Sequence, residues 1–302
     1  MKEILKEWFM NAPWGKVALI SWGNASGEPV LFVHGRQDSA ATFIPLVELL
    51  PDKYHYVAVD MPGNGLSDPL PKGVTLARIF RVSVVQMIVE HMKWTNFIYI
   101  GHSLGTEIGL FYNAVFPGRV KCAVHLDAGP ALSRLLISDF SAHFNSFYKY
   151  YYDNYESINN DGRVFSKESA TNAVMKARKM TKEQAELILS RNLKKIGENR
   201  YKLSWDKREK ILAPTFSSVD YYYGIFSKNS PPTLFISANQ FEGGYIKAKE
   251  LVKQLILDLS KNKSFKVVTV DGGHDVHFTN PERMAQYIIE FLDETGKVKA
   301  KL

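Results

Sequence analysis

The feature that most constrains this chain is only five residues long. Gly101-His102-Ser103-Leu104-Gly105 follows an apolar run, Phe97–Gly101, and opens another apolar stretch, Leu104–Phe116. A serine between glycines at such a junction predicts a strand that turns sharply into a helix, because side chains at the flanking positions would clash in so tight a bend. The bend places the hydroxyl at a helix N-terminus, where unpaired backbone N–H groups face developing negative charge. Ser103 is the candidate nucleophile. The plain alternative is a glycine-rich turn without chemistry, and the strand before it and the helix after it weigh against that.

The rest of the chain has the rhythm this turn needs. Apolar runs at Val17–Trp22, Val30–His34, Tyr56–Asp60, Phe97–Gly101, Cys122–Asp127, Thr233–Ala238 and Phe265–Asp271 predict strands. Their continuity, rather than alternation, predicts burial on both faces of a mostly parallel sheet. Amphipathic stretches at Ala41–Leu50, Thr75–Met92, Leu104–Phe116, Tyr245–Leu259 and Pro281–Leu292 predict covering helices, the last started by Asn280-Pro281. From about Ala131 to Pro214 helical periodicity persists without a buried strand. That break predicts a helical cap, 131–214, over the carboxyl ends of the strands, and a core made of 1–130 and 215–302.

The other parts of a serine-nucleophile site are present in order. Val33-His34-Gly35-Arg36 closes an early strand, where an oxyanion loop would sit, so the backbone N–H groups of Arg36 and Leu104 are the candidate oxyanion hole. The tight turn from Asp60 to Ser67 is expected to be structural, a compact exit from the sheet. Gly272-Gly273-His274 follows the last strand, and His274 is the candidate general base. His34 and His102 are expected to shape the site, and His277 at most to stand behind it. His55, His91, His125 and His143 read as surface or packing residues.

The carboxylate that would orient His274 is open between two places. Asp127, at the end of a strand, is preferred. Glu242 is the alternative, one residue late in a loop where Phe241 occupies the usual acid position. The histidines, carboxylates and single cysteine show no metal-ligand spacing, so neither a metal nor another cofactor is expected. Aromatic residues crowd the region Phe140–Tyr152, and Phe144, Tyr148 and Tyr151 are candidates for a substrate-binding wall; packing within the cap is the bland reading.

Composition excludes other classes rather than naming one. The net charge of +7 invites nucleic acid, but the densest basic run, Lys176–Lys210, is interleaved with acids on helical spacing and predicts a solvated face. No nucleic-acid or integral-membrane partner is expected, since no apolar stretch reaches membrane-spanning length. Cys122 lies in an apolar run and is expected to be buried. Met1–Ala12 lacks a signal-peptide core, so a soluble intracellular protein is expected. The last residues, Ala300-Lys301-Leu302, are close to the tripeptide that a peroxisomal import receptor reads, which predicts a peroxisomal address or otherwise a cytoplasmic one.

At this level of detail the chain resembles the serine hydrolase-like (Kraken-type) proteins of the α/β-hydrolase superfamily. The resemblance rests on Pro13-Trp14-Gly15, Trp22-Gly23, Leu50-Pro51, Lys93-Trp94, the Gly101–Gly105 turn and Gly273-His274-Asp275-Val276-His277. It implies an α/β-hydrolase fold: a mostly parallel central sheet flanked by helices, with a helical cap inserted after the sixth strand. Serine at the nucleophile position argues against the aspartate-based chemistry of haloalkane dehalogenases and epoxide hydrolases, which share the fold. The expected reaction is hydrolysis of a carboxylic ester, thioester or related acyl bond through an acyl-enzyme, on a small and apolar acyl substrate. Two other classes stand beside it, a slow-turnover ligand receptor on a hydrolase fold and a non-catalytic interaction protein.

Overall fold

The seven apolar runs pair into one sheet, each within two residues of its expected ends, and an eighth strand joins them. The computed structural model describes residues 2–299 apart from 74, 137–138, 160–162, 211, 213–216 and 241–247. Glu242 and Ala300-Lys301-Leu302 lie outside the described residues. In chain order the strands are β1 (Ile4–Ala12), β2 (Gly15–Gly23), β3 (Glu28–Val33), β4 (Tyr54–Val59), β5 (Phe97–His102) and β6 (Val120–Leu126). Three short strands follow, β7 (Val164–Phe165), β8 (Leu193–Gly197) and β9 (Arg200–Leu203), then β10 (Thr233–Ala238) and β11 (Phe265–Val270).

The large sheet has the order β1-β2-β4-β3-β5-β6-β10-β11. β2 is antiparallel to both of its neighbours and the remaining pairs are parallel. Successive residues of the inner strands serve opposite faces. Phe32, Ile98 and Ile100 pack with the final helix, Glu282–Lys299, while Leu31, Val33 and Tyr99 pack with the helices Phe80–His91 and Leu104–Val115. That two-sided burial is why these strands read as unbroken apolar runs. β1 escaped the sequence reading because only Met10 among its residues is buried, leaving no apolar period to detect.

Two helices depart from expectation at their ends. The one expected from Thr75 begins at Phe80, since Leu76 and Arg78 are drawn inward and Arg78 pairs with Glu107. The final helix continues to Lys299, and Asp293 and Glu294 on its extension pair with Lys53 and Lys266. Cys122 is buried as expected. Among the described residues no helix is long and apolar enough to cross a membrane.

The segment between β6 and β10 is not purely helical, which corrects the sequence reading. Beside the helices Phe140–Tyr151, Lys167–Arg178 and Lys182–Asn192 it holds a three-stranded antiparallel sheet, β7-β9-β8. The β8–β9 hairpin turns through Glu198-Asn199, with Asn199 at φ 45°, a conformation that asparagine tolerates. Its strands are half-exposed and lysine-rich, so no buried run marks them.

The basic run Lys176–Lys210 is likewise more than a solvated face. Arg191 is buried, with Nη2 2.9 Å from Asp60 Oδ2 and Nη1 donating to Glu7 on β1. Arg178 Nη1 lies 2.9 Å from Asp38 Oδ2, and Arg208 donates to the carbonyl oxygens of Leu70 and Pro71. The Asp60–Ser67 turn, expected to be only a compact exit, is therefore also an anchor. Asp60 accepts from Ala40 N–H, Leu66 N–H and Arg191, and Asn192 reaches Ser39 and Gly65.

Candidate active site

β5 delivers Ser103 into a strained turn, at φ 50° and ψ −113°. A non-glycine residue there costs about 1–3 kcal/mol and persists only where its surroundings over-determine it. They do so here. Ser103 N–H donates to Leu126 O at 3.0 Å, and the flanking glycines leave no room for side chains: a Cβ on Gly105 would lie 2.0 Å from Val33 O. The hydroxyl stands at the start of the helix Leu104–Val115, in a residue only 7 % exposed.

Two further strand ends meet it. Asp127, just past β6, sits at φ 44°, with its N–H on Ile236 O and its Oδ1 accepting from Ala238 N–H, so β10 clamps the carboxylate. Its Oδ2 lies 2.5 Å from His274 Nδ1, and His274 Nε2 lies 2.9 Å from Ser103 Oγ. A carboxylate can only accept, so Nδ1 carries the proton and Nε2 is left to accept from the serine hydroxyl. Ser103, His274 and Asp127 thus form one unbroken hydrogen-bonded line.

Other histidines hold this line in place. His102 donates from Nε2 to His274 O at 3.0 Å, and its ring packs on those of His274 and His277, with centroids 4.6 and 3.8 Å away. His277, expected at most to stand behind the site, is fully buried and shares a hydrogen bond with Thr42 Oγ1. His34 donates from Nδ1 to Gly35 O and accepts from Met61 N–H at Nε2, which fixes the loop after β3. His102, Asp275 and His277 bring ligand-type atoms within 4.8 Å of one another, a grouping made by folding rather than by sequence spacing. Backbone closes on His102 Nδ1, where a Cβ on Gly35 would come within 2.9 Å, so the cluster reads as packing.

The line opens into a cavity of about 1110 Å³. Arg36 and Leu104 line it beside Ser103 and His274. Among the described residues neither of their backbone N–H groups has a backbone partner. The segment between β6 and β10 supplies part of the opposite wall through Val174, Leu203, Trp205 and Leu212.

Phe144, Tyr148 and Tyr151 do not line this cavity, contrary to the sequence expectation. Phe144 and Tyr148 are 43 % and 49 % exposed, and Tyr151 is buried against Phe147 and Ile158. The helix Phe140–Tyr151 turns Phe147 and Tyr151 inward, while Phe140, Phe144 and Tyr148, four residues apart, share its outer face.

The sequence pattern of the α/β hydrolase fold matches residues 28–281. The chain belongs to the α/β-hydrolase fold family. Along nearly its whole length it is similar to the serine hydrolase-like protein of Danio rerio, 29% identical over 300 residues that cover 97% of this chain and 90% of that protein. Serine hydrolase-like protein 2 of Homo sapiens is also 29% identical, over 316 residues covering 99% of this chain and 98% of its own. A hypothetical protein of Pseudomonas aeruginosa has the same fold, with a TM-score of 0.77 at 22% identity, covering 95% of this chain and 98% of that one.

Within this α/β-hydrolase scaffold the electrostatics favour a basic imidazole. Burial pushes the His274 imidazolium down, but the hydrogen bond and charge of Asp127, with Asp275 adding to them, raise it overall. His102 and His277 are held neutral: burial drives His102 far down and His277 to about 3, and the neighbouring imidazoles add to it. Sequence reasoning missed Asp275, the Asp38–Arg178 pair and the arginines Arg78 and Arg134, all on the cavity wall. Asp275 could have been found, since it adjoins His274. The others are brought in from distant loops by pairing that no local pattern encodes.

Proposed function

We propose that the protein is a serine hydrolase that cleaves a carboxylic ester, thioester or related acyl bond. The observation that carries this reading is the continuous line from Ser103 Oγ through His274 to Asp127, opening into a cavity. Ser103 Oγ attacks the acyl carbon while His274 Nε2 takes its proton. Asp127 holds the tautomer and balances the imidazolium. The N–H groups of Arg36 and Leu104 receive the oxyanion of the tetrahedral intermediate. His274 then returns the proton to the departing alcohol or thiol, leaving an acyl-enzyme. A water molecule, deprotonated by His274, attacks that acyl group and releases the acid and free Ser103. The segment between β6 and β10 acts as the cap of the site, contributing wall rather than chemistry.

Ser103→Ala tests the reading. The variant is expected to lose multiple-turnover hydrolysis of activated short-chain esters and labelling by a fluorophosphonate, with an unchanged circular dichroism spectrum. A fluorophosphonate adduct that maps to another serine sinks the assignment. Single-turnover binding without hydrolysis in the unaltered protein would favour a ligand receptor instead.

A further inference from the structure

One side of the cavity carries positive charge that its own carboxylates do not neutralise. Arg36 lies in the loop after β3, Arg78 precedes the helix Phe80–His91 and Arg134 follows the short helix Gly129–Leu132; all three line the cavity. Arg78 is already engaged: its Nη1 lies 2.5 Å from Glu107 Oε2, one helical turn beyond Ser103, and both side chains are buried. Arg81, next to it, pairs with Glu209 at 2.8 Å. Four guanidinium groups therefore share two carboxylates.

The acids elsewhere on the cavity wall have partners of their own. Asp38 pairs with Arg178, Asp127 with His274, and Asp275 faces Arg178, His274 and His277. Arg36 donates to a backbone carbonyl, Lys210 O at 2.8 Å, and has no ion pair among the described residues. The Arg134 guanidinium has neither a hydrogen-bond nor an ion-pair partner among the described residues; only its backbone is used, its N–H by Ala131 O and its carbonyl oxygen by Arg78. Burial lowers both, Arg134 to about 10; Glu209 opposes the lowering at Arg36, while at Arg134 the charges of Arg36 and Arg78 add to it and Glu107 opposes it. A guanidinium is charged at neutral pH. Two half-buried guanidinium groups with no ion pair among the described residues, sharing Glu209 and Glu107 with the paired Arg81 and Arg78, leave the cavity that holds Ser103 with donors for an anion.

We propose that the substrate carries an anionic group, a carboxylate or a phosphate, which Arg134 and Arg36 hold while the acyl carbon rests at Ser103. This rests on the hydrolase reading and adds a charge to the apolar acyl substrate expected from sequence. The apolar wall of Val174, Leu203 and Trp205 is left for the uncharged part of the molecule.

Matched substrate pairs test it and separate the two sources of charge. The first pair is the 4-nitrophenyl monoester of glutarate against 4-nitrophenyl pentanoate, which puts a carboxylate on the acyl side. The second is butyryl-phosphopantetheine against butyryl-pantetheine, which puts a phosphate on the leaving group. In at least one pair the anionic member is expected to have about tenfold or more higher kcat/KM, the scale of a charge-assisted hydrogen bond. Arg134→Gln should bring that ratio towards one and Arg134→Lys should keep part of it.

Equal rates within both pairs, or a preference that survives Arg134→Gln, overturn the proposal. If neutral esters turn over and Ser103 is labelled in that case, the hydrolase reading stands without it. If no ester turns over and Ser103 is unlabelled, the hydrolase reading fails, and calorimetric titration with glutarate and with inorganic phosphate decides the anion site alone. Binding weakened tenfold or more by Arg134→Gln supports the site; binding that is absent, or unchanged by the substitution, overturns it.

Discussion

The carboxyl edge of the sheet and the segment that covers it are held by different forces. On the sheet, Ser103 and Asp127 occupy strained backbone positions at the ends of β5 and β6, with Ile100, Val124 and Leu126 fully buried behind them. Close-packed apolar strands of this kind hold their ends to a fraction of an ångström, which is what a nucleophile and its acid require. The covering segment has a small apolar core of its own around Ala170, Val174, Ala185 and Leu189. Much of its attachment to the sheet side is ionic, through Arg178 on Asp38 and Arg191 on Asp60, with Arg208 bound to the carbonyls of Leu70 and Pro71. The difference teaches a division of labour: apolar packing fixes the chemistry, and paired charge fixes the wall above it.

The largest effect should come from the sheet side. Asp127→Asn is expected to lower kcat by about 10⁴-fold, because asparagine presents an N–H to Nδ1 and leaves the wrong tautomer facing Ser103. Stability should change far less, and Glu242→Gln should stay within a few-fold of the unaltered rate. Steady-state kinetics of both variants on one activated ester checks this. A damaging Glu242→Gln beside a mild Asp127→Asn would move the acid off β6 and break the comparison at its first step.

Next in size is the ionic attachment. Arg191→Leu leaves Asp60 buried without its partner and should cost about 3–5 kcal/mol in urea denaturation. Ile100→Val, in the packed strand behind the site, should cost only about 0.5–1.5 kcal/mol. An Arg191→Leu variant as stable as Ile100→Val would show that the segment is held mainly by its apolar contacts with Phe278 and its neighbours.

These effects also mark what could be read from sequence. The elbow, seven strands of the large sheet and His274 were legible because each is encoded by neighbours in the chain: glycines around Ser103, apolar runs, buried except at the edge strand β11, and a loop after the last strand. Asp127 was legible only as one of two choices, because its role depends on β10 lying beside β6, a pairing distant in sequence. β1 was invisible for lack of a buried face, and β8 and β9 for the same reason within a lysine-rich stretch. The aromatic residues of Phe140–Tyr151 misled because helical spacing shows that a stripe exists and says nothing about which of two apolar stripes faces the ligand. Arg178, Arg191 and Arg208 read as solvated because burial of an arginine is set by a carboxylate or carbonyl supplied from elsewhere.

The smallest effect tests whether the covering segment touches the chemistry at all. Hydrolysis needs neutral His274, so kcat/KM should rise with pH through the imidazole pKa, with a midpoint above the ordinary 6.5, since Asp127 and Asp275 together outweigh burial. Asp275→Asn removes one of the raising charges and should move the acid limb to lower pH, by less than Asp127→Asn does. Arg178 belongs to the covering segment and lowers the same pKa. Arg178→Gln should therefore move the limb to higher pH, the opposite direction, with Asp38→Asn introduced alongside so that the buried Asp38 carboxylate is not left without its ion pair. Opposite shifts would mean that the segment acts on the base through its field while remaining outside the hydrogen-bonded line. If Arg178→Gln leaves the limb in place and Asp275→Asn still moves it, the tuning belongs to the sheet edge alone, and the segment contributes only wall.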